Sequence, residues 1–200
     1  HTPLGQSATT QLAQSIAQSL PSVLPRAELE LFALGQPKVM FRGKPLSLPP
    51  RQIEILCLLA LNPDGLNLQQ LHAAIYGDAA VSLSTLKADV SHLRRCLDGE
   101  IGSRPYRLTT TTWADFIHIW RALDAQRTNE AMAMYRGTFM AASESPEIQE
   151  WRHCIDAVMT QLINNCDSPQ QLLHKISQSA DGSILARDRL IELLERAAYK

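Results

Sequence analysis

No apolar run in this chain of 200 residues approaches the roughly 18 residues that a bilayer-spanning helix needs, which excludes a transmembrane helix. Its four cysteines, Cys57, Cys96, Cys154 and Cys166, form neither a C-x-x-C pair nor a Cys/His ligand spacing. They read as reduced thiols of a cytoplasmic protein, with no metal site and no disulfide frame. The sequence also lacks G-x-x-x-x-G-K-[ST], G-x-S-x-G and H-E-x-x-H, and its six histidines are scattered. Catalysis is therefore not expected, nor is a cofactor. A strong charge of one sign is missing too. The net charge of −1 argues against a wholly basic nucleic-acid binder, but the charge is unevenly spread, +2 over residues 1–109 and −3 over 110–200. Between 84 and 108 stand Lys87, Arg94, Arg95, Arg104 and Arg107, a small localised positive surface.

The opening residues, His1-Thr2-Pro3-Leu4-Gly5, form neither a signal peptide nor a natural start, so a longer parent protein is expected. Leu12, Ile16 and Leu20 recur at spacing four, which predicts an amphipathic helix over 7–20. It is either a linker or a dimerising, signal-carrying helix, and Pro21 and Pro25 end it. From Glu28 the period changes. LELFAL (29–34), PKVMF (37–41) and KPLSL (44–48) are short, β-prone and separated by Gly35 and Gly43, which predicts an antiparallel meander. Pro49-Pro50 is placed to open a core helix over 51–61. Asn67, with Gln70 three residues on, resembles a capping box for a helix over 68–76. Ser82 caps a longer helix over 82–98, and IGSRPYRLT (101–109) reads as a hairpin turning near Arg104-Pro105. Everything after Trp113 reads as helix: 113–126, 128–139, 146–165, 168–179 and 183–198.

The helix over 82–98 carries the functional argument. At 100° per residue, Leu86, Val90, Leu93 and Leu97 form one narrow stripe that must face a core. Opposite lie Ser84, Lys87, Ala88, Ser91, His92 and Arg95, with Thr85 and Arg94 on the flanks. Ala88 leaves room for close approach to base edges. Lys87, Arg94 and Arg95 can reach phosphates or guanine edges, and His92 can donate or accept in a major groove. In the hairpin, Tyr106 and Leu108 pack inward while Arg107 points out, and Arg104 at the turn can reach a minor-groove phosphate.

With these residues in place, 29–109 resembles the OmpR/PhoB-type winged-helix domain. TLKADVSHLRRCL is similar to that family's recognition helix and SRPYRL to its wing strand. More narrowly, VSLSTLKADVSHLRR, IGSRPYRL and AMAMYRGTFM resemble a group of bacterial regulators with an N-terminal GAF sensor and a helical half of the transcriptional-activator kind. The resemblance implies a phosphate-contacting hydroxyl at Thr85, base-facing positions at Ala88 and His92, a backbone or base contact at Arg94, and a groove contact at Arg107. The chain departs from the family where Ser91 and His92 stand in place of Arg, which bears on base preference.

The expected architecture is α+β: a linker over 1–26, a winged helix-turn-helix with an N-terminal antiparallel sheet over 27–110, and an all-α, tetratricopeptide-like region over 111–200. The expected function is sequence-specific DNA-binding transcription regulation in the bacterial cytoplasm. Duplex DNA is the partner, RNA polymerase and a second copy of the chain are further candidates, and a sensor domain stands upstream. The alternative is a winged-helix protein-interaction module without DNA readout.

Overall fold

The computed structural model describes residues 27–178 and 183–198; the helix expected over 7–20 lies outside them. The chain opens with β1 (Leu29–Phe32), β2 (Lys38–Phe41) and β3 (Lys44–Leu46), the expected antiparallel meander. Leu29, Leu31, Val39 and Phe41 alternate inward, as the period of two demands. Arg42 and Gly43 both have positive φ, the conformation that a tight two-residue hairpin turn requires.

Three helices follow: α1 (Pro50–Leu61), α2 (Leu68–Tyr76) and α3 (Leu83–Cys96). Pro50 occupies the first turn of α1. The whole run Gln52–Leu59 is buried, not the single stripe that its periodicity suggests. The reason is position, because the helix is packed by α2 and α3 and, from the far half of the chain, by β4 (Thr112–Ala114) and α6 (Pro146–Asn164). The capping box of α2 is complete: the Gln70 backbone N–H donates to Asn67 Oδ1, and the Asn67 N–H donates to Gln70 Oε1, both at 2.9 Å.

Beyond residue 110 two helical expectations are corrected. Residues 112–114 are not helical but form β4, which pairs parallel with β1 and closes the sheet in the order β3-β2-β1-β4. Helix α4 (Asp115–Asp124) therefore begins two residues after Trp113, whose ring packs on Phe32 at 5.1 Å instead of lining a helix. Helix α5 (Thr128–Met134) stops five residues short of the expected 139. There the backbone is extended at Tyr135, turns through Gly137 (φ +155°), and places Phe139 in a bridge opposite Leu34. A Cβ on Gly137 would sit 3.0 Å from the Cα of Gly35, so close backbone approach demands glycine here. Helices α6, α7 (Pro169–Gln178) and α8 (Ile184–Ala198) fall within a residue of their expected bounds.

One continuous apolar core runs from Leu29 in the sheet to Ala186 in α8. Asp115 ties the halves together: its buried carboxylate accepts the backbone N–H groups of Ala33 and Leu34 at 3.0–3.1 Å. Ser145 does the same at α2, donating from Oγ to the Ala74 carbonyl at 2.7 Å. Arg152 gathers the 139–143 loop through the carbonyls of Phe139, Met140 and Ser143.

Candidate nucleic-acid interface

Helix α3 starts at Ser82, whose Oγ accepts the Thr85 N–H and lies 2.7 Å from Ser84 Oγ. Leu86, Val90, Leu93 and Leu97 are each at most 2% exposed, so the stripe read from the sequence is the buried one. Ser84, Thr85, Lys87, Ala88, Ser91, His92 and Arg95 all stand exposed on the other side. The neighbours of α3 are α1 and α2, and the helices after residue 115 leave its outer face uncovered.

His92 is exposed but oriented. Gln52, buried in α1, donates through Nε2 to Asp89 Oδ1 at 3.1 Å and turns Oε1 toward His92 Nδ1 at 3.0 Å. A carboxamide oxygen only accepts, so Nδ1 carries the proton and a neutral His92 presents Nε2 as an acceptor. The same ring lies 3.6 Å from Cys96 Sγ, one turn along. An acceptor on the outer face suits a base-edge amino donor. No sequence signal linked Gln52 to this position, because the pair is separated by 40 residues.

Arg94, expected at a phosphate or base edge, is tied to the wing. It is half-buried, and its guanidinium donates from Nε to the Ile101 carbonyl (2.8 Å) and from an Nη to the Gly102 carbonyl (3.3 Å). It braces the wing instead of standing free beside it, because the helix flank and the hairpin carbonyls face each other.

The wing itself is a narrow ladder. Ile101 bridges Leu108, and the Gly102 N–H donates to the Arg107 carbonyl at 2.8 Å. Tyr106 also bridges Leu66 in the α1–α2 loop, exchanging two backbone hydrogen bonds of 2.8–2.9 Å. Gly65 makes this approach possible, since a Cβ there would meet the Tyr106 carbonyl at 2.8 Å. Arg104 and Arg107 project outward and exposed, as expected, while Tyr106 and Leu108 pack inward. At the far end of α3 the exposed Arg42 is occupied by Asp98 at 2.7 Å, so this cation is internally neutralised. Nine of the ten expected side chains thus stand exposed, seven on α3 and two on the wing, and the tenth, Arg94, is half-buried and tied to the wing backbone. Among the described residues no group of three His, Cys, Asp or Glu could hold a metal, and no helix is long and apolar enough to cross a membrane.

No family model matches the chain. It is similar to an uncharacterised 47.3 kDa protein in the thcA 5′ region of Rhodococcus erythropolis, at 34% identity over 134 residues, 66% of this chain. Those residues span 30% of that protein's length. Among solved structures it resembles Mycobacterium tuberculosis EmbR, described in complex with a low-affinity phosphopeptide, with a TM-score of 0.50 and 15% identity. The match covers 86% of this chain and 66% of that one. At this identity the likeness is one of fold: a mixed α+β arrangement with a small four-stranded sheet and a helical extension.

Proposed function

We propose that this chain is the DNA-reading part of a bacterial transcription regulator of the OmpR/PhoB winged-helix type. Helix α3 enters the major groove and the wing over 101–109 lies on the adjacent minor groove or backbone. The observation that carries the reading is the uncovered outer face of α3, mostly polar with the small Ala88 at its middle, next to a wing that exposes Arg104 and Arg107. Ser84, Thr85, Lys87 and Arg95 position the protein on phosphates; Ala88, Ser91 and His92 face base edges. EmbR's likeness in fold fits a regulator, and the sequence resemblance to regulators with a GAF sensor adds such a domain upstream. The helix pair α4–α5 is read as a tetratricopeptide-like hairpin serving assembly, with a second copy or RNA polymerase as partner and the cytoplasm as location.

The test is a selection of duplex DNA from a random-sequence pool, followed by a salt titration on the recovered site. A recovered motif, and a log–log slope near −3 from about 3–4 neutralised phosphates per subunit, support the reading. Weak binding without sequence discrimination would establish the interaction-module alternative. That alternative draws on the apolar side chains exposed on α7 and α8, including Leu173, Ile184 and Ile191.

A further inference from the structure

A cleft of about 390 Å³ opens between the two halves, on the far side of the wing strand from the arginine-bearing tip. One wall is the end of α1 (Leu59, Ala60, Leu61) with the returning wing strand at Leu108 and Thr110. The other is α4, through Phe116, His118, Trp120 and Arg121, and α6, through Trp151. The volume lies within the range of small-molecule sites, about 300–1,000 Å³. Trp120 and Trp151 meet edge to face with ring centroids 5.7 Å apart, yet Trp120 remains 40% exposed. That is a large aromatic surface left without cover at a concave site.

The polar lining has one sign. Arg121 and His118 are the ionisable groups of the wall, with no carboxylate among its residues. His118 stacks on Trp113 at 5.3 Å, and partial burial together with the Arg121 charge lowers its pKa from the ordinary value, which favours the neutral ring. Arg121 makes no hydrogen bond or ion pair to any described residue, in contrast to Arg127 at the start of α5, which pairs with Glu130 at 2.7 Å. A guanidinium at the rim of an aromatic-walled, carboxylate-free cleft has the chemistry to take a carboxylate in bidentate fashion while the ring of the same ligand packs on the tryptophans.

We propose that this cleft binds a small aromatic carboxylic acid, its carboxylate on Arg121 and its ring against Trp120 and Trp151. A ligand seated there touches the wing strand and the helical half at once. The proposal does not depend on DNA binding, and its test uses no DNA.

The chain reports on its own site, because all three of its tryptophans, Trp113, Trp120 and Trp151, line the cleft or stack on a residue that does. The probe is 3-phenylpropanoate, with 3-phenylpropanamide as its uncharged counterpart, followed by tryptophan emission and by calorimetry. The expected result is saturable binding of the acid, about tenfold tighter than the amide, as one charge-assisted contact gives. Arg121→Gln should lower affinity for the acid to that of the amide, whereas Arg127→Gln should leave the difference intact. Absence of saturable binding at millimolar probe overturns the proposal. So does equal affinity for acid and amide, or an Arg121→Gln variant that binds the acid as wild type does while its circular dichroism is unchanged.

Discussion

In residues 27–109 the α3 stripe Leu86, Val90 and Leu93 points inward, and the hydroxyls of Ser84, Thr85 and Ser91, the amine of Lys87 and the guanidinium of Arg95 point out. The helical half keeps its core apolar too, but carries exceptions in both directions: Asp115, Ser145 and Lys175 are at most 6% exposed, while Leu173, Ile184, Ile191 and Leu194 are each more than half exposed. On α3, Ser84, Thr85, Lys87, Ser91 and Arg95 stand in solvent. In the helical half, Asp115 and Ser145 are spent on holding backbone of the first region. The second region thus fixes the first in place and presents apolar surface on α7 and α8.

The contrast predicts where substitution hurts. The largest effect is expected at Asp115. Burial pushes its carboxyl pKa up, and the N–H groups of Ala33, Leu34 and Phe116 oppose the shift by binding the ionised form. Asp115→Ala strands the first two donors in the interior at about 1–3 kcal/mol each, so urea unfolding should show a loss of about 4 kcal/mol. Ser91→Ala on the outer face of α3 should change stability by less than about 0.5 kcal/mol. A loss below about 1 kcal/mol for Asp115→Ala would mean that the inward polar groups do not clasp the halves together.

Lys175 sharpens the comparison through pH. It is 2% exposed, with Nζ 4.7 Å above the Tyr135 ring, and burial, with Arg136 adding repulsion, lowers its pKa from 10.5 to about 8. Below pH 8 the lysine is protonated in both native and unfolded states, and the native chain bears the cost of a buried cation. Between about 8 and 10.5 the native state releases its proton first, so stability rises with pH, by up to about 3 kcal/mol. Lys175→Met removes this dependence. Relative to Lys175→Met, wild type should gain stability between pH 8 and 10, and a difference that stays constant across that window would show that Lys175 titrates normally.

Local chemistry was legible in the sequence. Ser82, Asn67 and Gln70 announced helix starts through side chain-to-backbone geometry spanning three residues, and the α3 stripe followed from one helical period. What escaped were pairings between distant segments. Thr112–Ala114 is a strand because β1, some 80 residues earlier, offers it a parallel edge. Thr112 and Trp113 favour strand, but three residues are too few to show a period of two or to name the partner. Helix α5 ends early because Phe139 bridges Leu34, a partner that helical periodicity cannot reveal. The same limit applied at the site. Exposure of Lys87, Ser91 and Arg95 followed from the period, while the Gln52 contact that orients His92 and the carbonyls that capture Arg94 depend on tertiary neighbours.

The smallest predicted effect tests that last difference. Arg94 spends its guanidinium on two carbonyls, of Ile101 and Gly102, so in the outward-facing region it behaves like Arg152, which grips three carbonyls of a loop. Arg94→Ala should therefore loosen the wing and weaken duplex binding by about 1 kcal/mol on every sequence, the net worth of such hydrogen bonds. Because Arg94 neutralises no phosphate in this arrangement, the salt slope should stay at its wild-type value. Arg107→Ala, removing a cation that points outward, should flatten the slope by about 1. A slope that falls by about 1 for Arg94→Ala would place its guanidinium on the phosphate backbone and return it to the outward-facing set.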